Sequence, residues 1–416
     1  MSPNTIPLKS FTIEAQTGPF GSQLHAHEYI EKGIPVINPS NIKDGRLIPD
    51  EKATVSMETS RRLDVHRLQR GDIVFARRGD LGRGAVAKKE AEGWLCGTGC
   101  IRVRPNQDLL DPHFISYALQ SIEVRSYFEK WAVGSTMGNL NTTIVLGLPI
   151  PNHPPEEQRR IANFLDAQIT HIDKLDAVLR EQVSLLEMRR QAQITEAVSG
   201  QTSRGKPRAL RAVAEVILGR QRAPQHADGP HMVPYLRAAN VKDGVLDLTD
   251  VLSMNFTLDE QQIFALRPGD ILVTEGSGSI NAVGASAVWG GEIPGVVCFQ
   301  NTLLRIRPRK GLADGKFLEW WARSAFAAGE FASIATGANI YHLSAERVRT
   351  LPTRFPSLDD QRKIADRLTG ETQNIDHFIE LRERQLNLLS ERRQALITAA
   401  VAGRFDVTTA SSSFTT

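Results

Sequence analysis

Apolar residues recur at helical spacing over two long stretches and at strand-like spacing between them. Residues 156 to 199 contain neither Gly nor Pro. As one helix, those 44 residues would run about 66 Å at 1.5 Å rise per residue. Leu165, Ile172, Leu179 and Leu186 fall seven apart, the spacing of a coiled-coil seam. Pro154-Pro155 and acidic Glu156-Glu157 suit a positive helix N-terminus, and Gly200 follows the last apolar residue. Shorter runs at 71–75, 85–87, 101–104 and 303–307 read as strands. Phe114 to Trp131 and Phe317 to Phe331 read as amphipathic helices, with loops rich in Gly, Ser and Asn between the elements.

The pattern is written twice. Residues 155–201 align without a gap on 358–404, an offset of 203, with 19 identities in 47 positions. Gln158-Arg159-Arg160-Ile161-Ala162 answers Gln361-Arg362-Lys363-Ile364-Ala365, and Arg189-Arg190-Gln191-Ala192 answers Arg392-Arg393-Gln394-Ala395. The preceding segments repeat more loosely. Asn41-Ile42-Lys43-Asp44-Gly45 answers Asn240-Val241-Lys242-Asp243-Gly244, and Gly71-Asp72-Ile73-Val74 answers Gly269-Asp270-Ile271-Leu272. Arg102-Val103-Arg104-Pro105 answers Arg305-Ile306-Arg307-Pro308. The expected order is therefore a globular domain at 1–153, a long helix at 154–203, a second domain at 204–356, a second helix at 357–404 and a disordered tail at 405–416. A helix this long is marginal alone, so its expected partner is the other copy, packed antiparallel. The fold class is a duplicated α/β (α+β) domain with two coiled-coil-like helices and a pseudo-two-fold repeat. Arg382 in the seam and Gly370 near the start of the second copy predict a less regular second helix.

Charge changes the picture once it is divided. The total is +3. Residues 1–153 hold 18 basic and 16 acidic side chains and residues 204–356 hold 18 and 14, whereas 154–203 hold 6 and 8 and 357–404 hold 8 and 8. The positive excess sits in the globular domains, as expected if those meet phosphates and the helices meet protein. No run of about 18 apolar residues is present, which excludes a membrane-spanning helix. The first residues lack a secretion signal, and three cysteines cannot build a disulfide framework; both predict a cytoplasmic protein.

Catalytic chemistry is hard to find. Gly205-Lys206 and Gly315-Lys316 lack the glycine spacing and Ser/Thr of a phosphate loop. Asn152-His153-Pro154-Pro155 has no aromatic residue to stack a flipped base, and Asp314-Gly315-Lys316 has no upstream Pro-Asp partner for a nuclease metal. Gly276-Ser277-Gly278 breaks the dinucleotide pattern at its third glycine. Cys96 and Cys100 lack a second ligand pair and read as buried small residues.

Two variable domains alternating with two near-identical helices that open Glu157-Gln158-Arg159 and Asp360-Gln361-Arg362 resemble the specificity subunit of a type I restriction-modification system. The resemblance runs from about residue 10 to residue 404. It implies two target-recognition domains, each reading one half of a bipartite double-stranded DNA site, with the paired helices as spacer. It also implies two adenine-methyltransferase and two restriction/translocase subunits as partners. Those subunits, not this chain, would bind S-adenosylmethionine, ATP and Mg²⁺, so no catalytic residue, cofactor or metal is assigned here. Half-sites would lie roughly one to two DNA turns apart. A self-sufficient methyltransferase or nuclease, or a coiled-coil scaffold without a DNA role, are the rival readings.

Base-reading candidates are polar loops at equivalent places that differ between the copies. Arg77-Arg78-Gly79-Asp80 corresponds to Glu275-Gly276-Ser277-Gly278, and Ser135-Thr136-Met137-Gly138-Asn139 to Ala338-Asn339-Ile340-Tyr341-His342. Arg grips guanine and Asn grips adenine, so Arg77, Arg78, Ser135, Thr136, Asn139, Ser277, Asn339, Tyr341 and His342 are the candidates. Lys43 and Lys242 in the shared turn are candidates for phosphate contact, because shared residues cannot distinguish half-sites, and Asn41 and Asn240 beside them are DNA-binding candidates; the turn could equally be structural. Arg189, Arg190, Arg392 and Arg393 are the candidates for subunit docking, with a solvated helix face as the other reading.

Overall fold

The computed structural model describes residues 4–79, 82–132, 140–202, 207–224, 227–280 and 282–407. The chain divides into two compact units, Met1–Arg180 with Arg384–Thr416, and Glu181–Glu383.

The first unit is built on an antiparallel sheet in the order Thr12–Thr17, Cys100–Pro105, Ile73–Ala76, Gly84–Val86. All four residues of Ile73–Ala76 are buried because the sheet is covered on both faces. Ile73 and Phe75 pack with Phe114, Ile115 and Phe128, while Val74 and Ala76 pack with Ile37, Leu68 and Cys96. The first group belongs to helices Pro112–Ala118 and Ile122–Ala132. A smaller sheet, Leu95–Cys96, Ile34–Ile37, Thr54–Val55 and Tyr29–Ile30, covers the other side. Thr5–Pro7 pairs antiparallel with Pro149–Pro151 and clasps the two ends of the domain.

The second unit repeats the plan. Its main sheet runs Ala214–Leu218, Leu303–Pro308, Asp270–Thr274, Ser286–Trp289, and Arg208–Ala209 clasps Pro352–Thr353. Ile271 and Val273 pack toward Phe317 and Phe331, and Leu272 toward Trp289 and Phe299.

The repeated sequence motifs carry the architecture. Arg102 and Arg104 lie across from Glu14 and Asp72: Arg102 Nη2 is 2.7 Å from Glu14 Oε1, and Arg104 donates to both Asp72 oxygens at 2.8 and 2.9 Å. Arg305 and Arg307 repeat this with Glu215 (2.7 Å) and Asp270 (2.6 Å twice). Such bidentate pairs lock three strands in register, and their burial makes them costly to break rather than strongly stabilising. The glutamine of each Gln-Arg motif is buried too. Gln158 Oε1 accepts from Asp111 N (2.8 Å), and its amide donates to Leu109 O and His153 O. Gln361 does the same with Asp314, Leu312 and Pro356. Each glutamine therefore fastens the first turn of a long helix to the globular domain before it.

Those helices span Pro155–Thr202 and Leu358–Val401. Within the first unit they pack antiparallel, Ile161, Leu165 and Ile172 against Leu389, Ile397 and Val401. In the second unit Ile194, Ala197 and Val198 share a core with Ile364, Ala365 and Leu368. Leu165, Ile172, Leu368 and Ile375 of the expected seam are buried. Leu179, Leu186 and Leu389 are half-buried.

Several expectations need correction. The second helix runs unbroken through Gly370, which is exposed with open space around it, and through half-buried Arg382. The stretch expected as one helix from Phe317 divides into Gly315–Ala327 and Glu330–Ile334, because Gly329 takes φ +73°. The stretch from Phe114 divides likewise, at a turn after Ala118. Phe405 and Val407 do not belong to a loose tail: Phe405 stacks edge-on against Phe164, and Val407 is buried in the first unit's core.

Candidate nucleic-acid interface

The shared Asn-x-Lys-Asp-Gly segment is a hairpin. In the first unit Ile42–Lys43 pairs with Arg46–Leu47 around Asp44 (φ +49°) and Gly45 (φ +69°), a two-residue turn that needs left-handed backbone at both positions. In the second unit Val241–Lys242 pairs with Val245–Leu246 around Asp243 and Gly244. Asn41 and Asn240, assigned to DNA from the sequence, are buried. Asn41 accepts from Asn38 N and donates to Ile48 O, both at 2.9 Å. Asn240 accepts from Arg237 N and donates to Asp247 O and Asp250 O. Their side chains are consumed in shaping the hairpin, so they are corrected to structural residues.

The two hairpin lysines are both exposed but differ in company. Lys242 Nζ lies 3.1 Å from Asp247 Oδ2. The Thr249 hydroxyl and Lys242 together pull the Asp247 carboxyl down to about 2. Ile48 stands where Asp247 does, so the first hairpin has no such carboxylate for Lys43. The hairpin tips differ as well. Asp44 is exposed, whereas Asp243 is turned toward Arg323 (Oδ1 to Nε 3.6 Å), whose guanidinium sits 4.8 Å from the centre of the Trp320 ring. Burial pushes the Asp243 carboxyl up, against the pull of Arg323.

In the first unit the Arg77 loop meets Leu140, and in the second unit the two divergent loops meet each other. Arg77 donates its N–H to Gly99 O and accepts from Leu140 N, and its side-chain Nε donates to Leu140 O at 3.0 Å. Arg77 is half-buried and Arg78 exposed. Ser135, Thr136 and Asn139 lie outside the described residues. In the second unit Glu275 N donates to Thr302 O and Glu275 O accepts from Leu343 N, the same two contacts 203 residues further on for the partner positions. Gly276–Ser277 then pairs with Tyr341–His342 as a short ribbon. His342 Nδ1 is 3.2 Å from each oxygen of Glu275. Ser277 and Tyr341 are half-buried, and Asn339 and His342 exposed. Two residues escaped the sequence reading. Glu275 is one, although the alignment sets it opposite Arg77. Arg83, whose Nη1 donates to Ile42 O at 3.3 Å, ties the hairpin to the loop.

On the helices, Arg190 and Arg393, assigned to docking, are turned to acidic residues of the opposite helix, Asp376 and Asp173. Arg189 and Arg392 are exposed. Large apolar residues are exposed at matching positions, Leu175, Val178 and Leu388 in the first unit and Phe378, Leu381 and Leu185 in the second, and Met188 is exposed opposite Glu391 in the alignment. Cys96, Cys100 and Cys298 are buried, and burial pushes the Cys100 and Cys298 thiols up to about 12. Among the described residues no helix is long and apolar enough to cross a membrane, and no group of three or more His, Cys, Asp or Glu side chains is placed to hold a metal ion.

Comparison with known proteins adds to this geometry. Residues 14–184 match the model of the type I restriction modification DNA specificity domain. The StySPI specificity subunit of Salmonella potsdam is 29% identical over 173 residues, 41% of this chain and 36% of that protein. The match therefore spans about a third of that relative's length. The putative MjaX specificity subunit of Methanocaldococcus jannaschii is 21% identical over 404 residues, 91% of this chain and 88% of that protein. Among solved structures, a chain from a study of complex assembly and conformational transition of the type I R-M system superposes with TM-score 0.74 at 17% identity, over 97% of this chain and 98% of that one. The HsdS subunit of Thermoanaerobacter tengcongensis gives 0.50 at 18% identity, covering 97% of both chains.

Proposed function

We propose that this chain, whose residues 14–184 match the type I restriction modification DNA specificity domain, is the sequence-reading subunit of a DNA methyltransferase and restriction complex. Each unit reads one half of a bipartite duplex site. The observation that carries this reading is the equivalence of Arg77 and Glu275. Both sit on the same backbone contacts of the same fold, yet they present opposite chemistry. A shared scaffold with divergent polar tips is what two different half-sites require.

In this reading the chain performs no catalysis. Two adenine-methyltransferase subunits and two restriction/translocase subunits supply it, together with S-adenosylmethionine, ATP and Mg²⁺. The exposed apolar positions on the helices are better docking candidates than Arg190 and Arg393, whose guanidiniums are already engaged. Sequencing methylated adenines in a host with and without this chain tests the proposal. The expected result is a bipartite motif that disappears with the chain. Exchanging residues 1–153 for the matching domain of a relative should change one half of the motif and leave the other. A methylation pattern indifferent to the exchange would leave the scaffold reading standing instead.

A further inference from the structure

Glu275 and His342 form a pair that the scaffold does not need. Glu275 is fixed at both ends of its own peptide, by Thr302 O and Leu343 N, and His342 is fixed by two bonds with Thr336 (3.0 and 2.8 Å). The Gly276–Ser277 and Tyr341–His342 ribbon holds them on adjoining strands. The carboxylate is mostly covered and the imidazole mostly exposed, at 17% and 55% of their side-chain surfaces. The covered acid therefore orients, and the exposed ring meets what lies outside.

We propose that Glu275 is a positioning residue for base reading in the second unit, and that His342 is the group that reads. This rests on the reading of the chain as a DNA specificity subunit. A carboxylate accepts only, so the ring nitrogen facing both its oxygens, Nδ1, carries the proton. In the neutral imidazole the remaining nitrogen, Nε2, is then an acceptor. The major-groove partners it fits are exocyclic amino groups, N6 of adenine or N4 of cytosine. The position of Glu275 is held in the first unit by Arg77, a donor only, which fits the acceptors O6 and N7 of guanine, while the counterpart of His342 is Asn139, outside the described residues.

The test uses the full chain assembled with its methyltransferase subunits, with adenine methylation mapped across random-sequence DNA. His342→Ala should make one position of the second half-site degenerate, with discrimination falling about tenfold, the value of one lost hydrogen bond of about 1.4 kcal/mol. Glu275→Gln can donate to Nδ1 and so reverse the tautomer, which should move that same position toward guanine or thymine. Glu275→Asp should retain the original base. The first half-site should be untouched in all three, which reports folding and assembly within the same sample. An unchanged second half-site in His342→Ala overturns the proposal, even if Glu275→Gln fails to fold. A wild-type complex with no bipartite motif would instead overturn the function from which the proposal starts.

Discussion

Arg190 Nη1 lies 2.5 Å from Asp376 Oδ1 in the second unit, and the same pair recurs 203 positions away as Arg393 and Asp173 in the first, at 3.7 Å. Each bridge joins the two long helices, and each is partly exposed, with side-chain exposures of 28–55%. Exposed ion pairs contribute about 0–1 kcal/mol, so the bridges fix register more than they stabilise. Asp376→Ala should therefore shift the denaturant midpoint of the complete chain little. The charge reversal Arg190→Asp alone should cost more, through repulsion from Asp376, and Asp376→Arg should restore it. A loss of several kcal/mol from Asp376→Ala would show that the seam depends on this pair.

Gln158 should behave differently. Its buried amide meets the Asp111 N–H and two carbonyls, and Ala at this position leaves all three without their partner. The expected cost is about 1–3 kcal/mol for each buried group left unsatisfied, reduced where water enters. Equilibrium unfolding of Gln158→Ala should show a larger loss than Asp376→Ala, and Gln361→Ala should match it in the other unit.

The repeat was fully legible in the sequence, because the 203-residue offset reflects residues that do the same physical work twice. What that work is was less legible. Asn41, Asn240, Asp72 and Arg102 recur for reasons of hydrogen bonding inside the fold, and a repeated polar residue reads the same on paper whether it faces a phosphate or a carbonyl. Arg190 and Arg393 misled for a similar reason: nothing in a linear pattern says that an antiparallel partner sets Asp376 and Asp173 opposite them. Arg77 and Glu275, paired by sequence, make the same two backbone contacts in their units. Those contacts, through Leu140 in one unit and Leu343 in the other, needed the backbone. The two helix breaks depended on local turns, of which only Gly329 left a signal in the sequence.

Glu330 carries a pH dependence that can be worked out in sign. Partial desolvation pushes its carboxyl above the usual glutamate value, and because the residue keeps more than a third of its surface in water the effect on stability is modest. The folded chain then binds more protons than the unfolded chain between the two values, so this residue's contribution to stability falls as pH rises through that window. Glu330→Gln should therefore be more stable than the parent at pH 7, with the gap closing below the ordinary glutamate range near pH 4. Thermal unfolding at pH 4 and pH 7 measures it. A Gln variant destabilised at neutral pH would mean that the charged form is favoured by something other than its own hydration.

Lys43 and Lys242 occupy the same place in the two hairpins, yet among the described residues Lys242 has a carboxylate in contact, Asp247, and Lys43 has none. A lysine released onto a phosphate displaces one counterion, lowering the slope of log K against log salt by about 1 when it is removed. Lys43→Ala should produce that change uniformly across sequences, without altering the motif. Lys242→Ala should produce less, because its ammonium is already partly neutralised. Asp247→Ala should then raise affinity and steepen the salt slope, as Lys242 becomes available, and adding Lys242→Ala should cancel the gain. Titrations of the assembled complex on one duplex at several salt concentrations decide it. Equal slope changes for Lys43→Ala and Lys242→Ala would show that the Asp247 contact gives way when DNA binds.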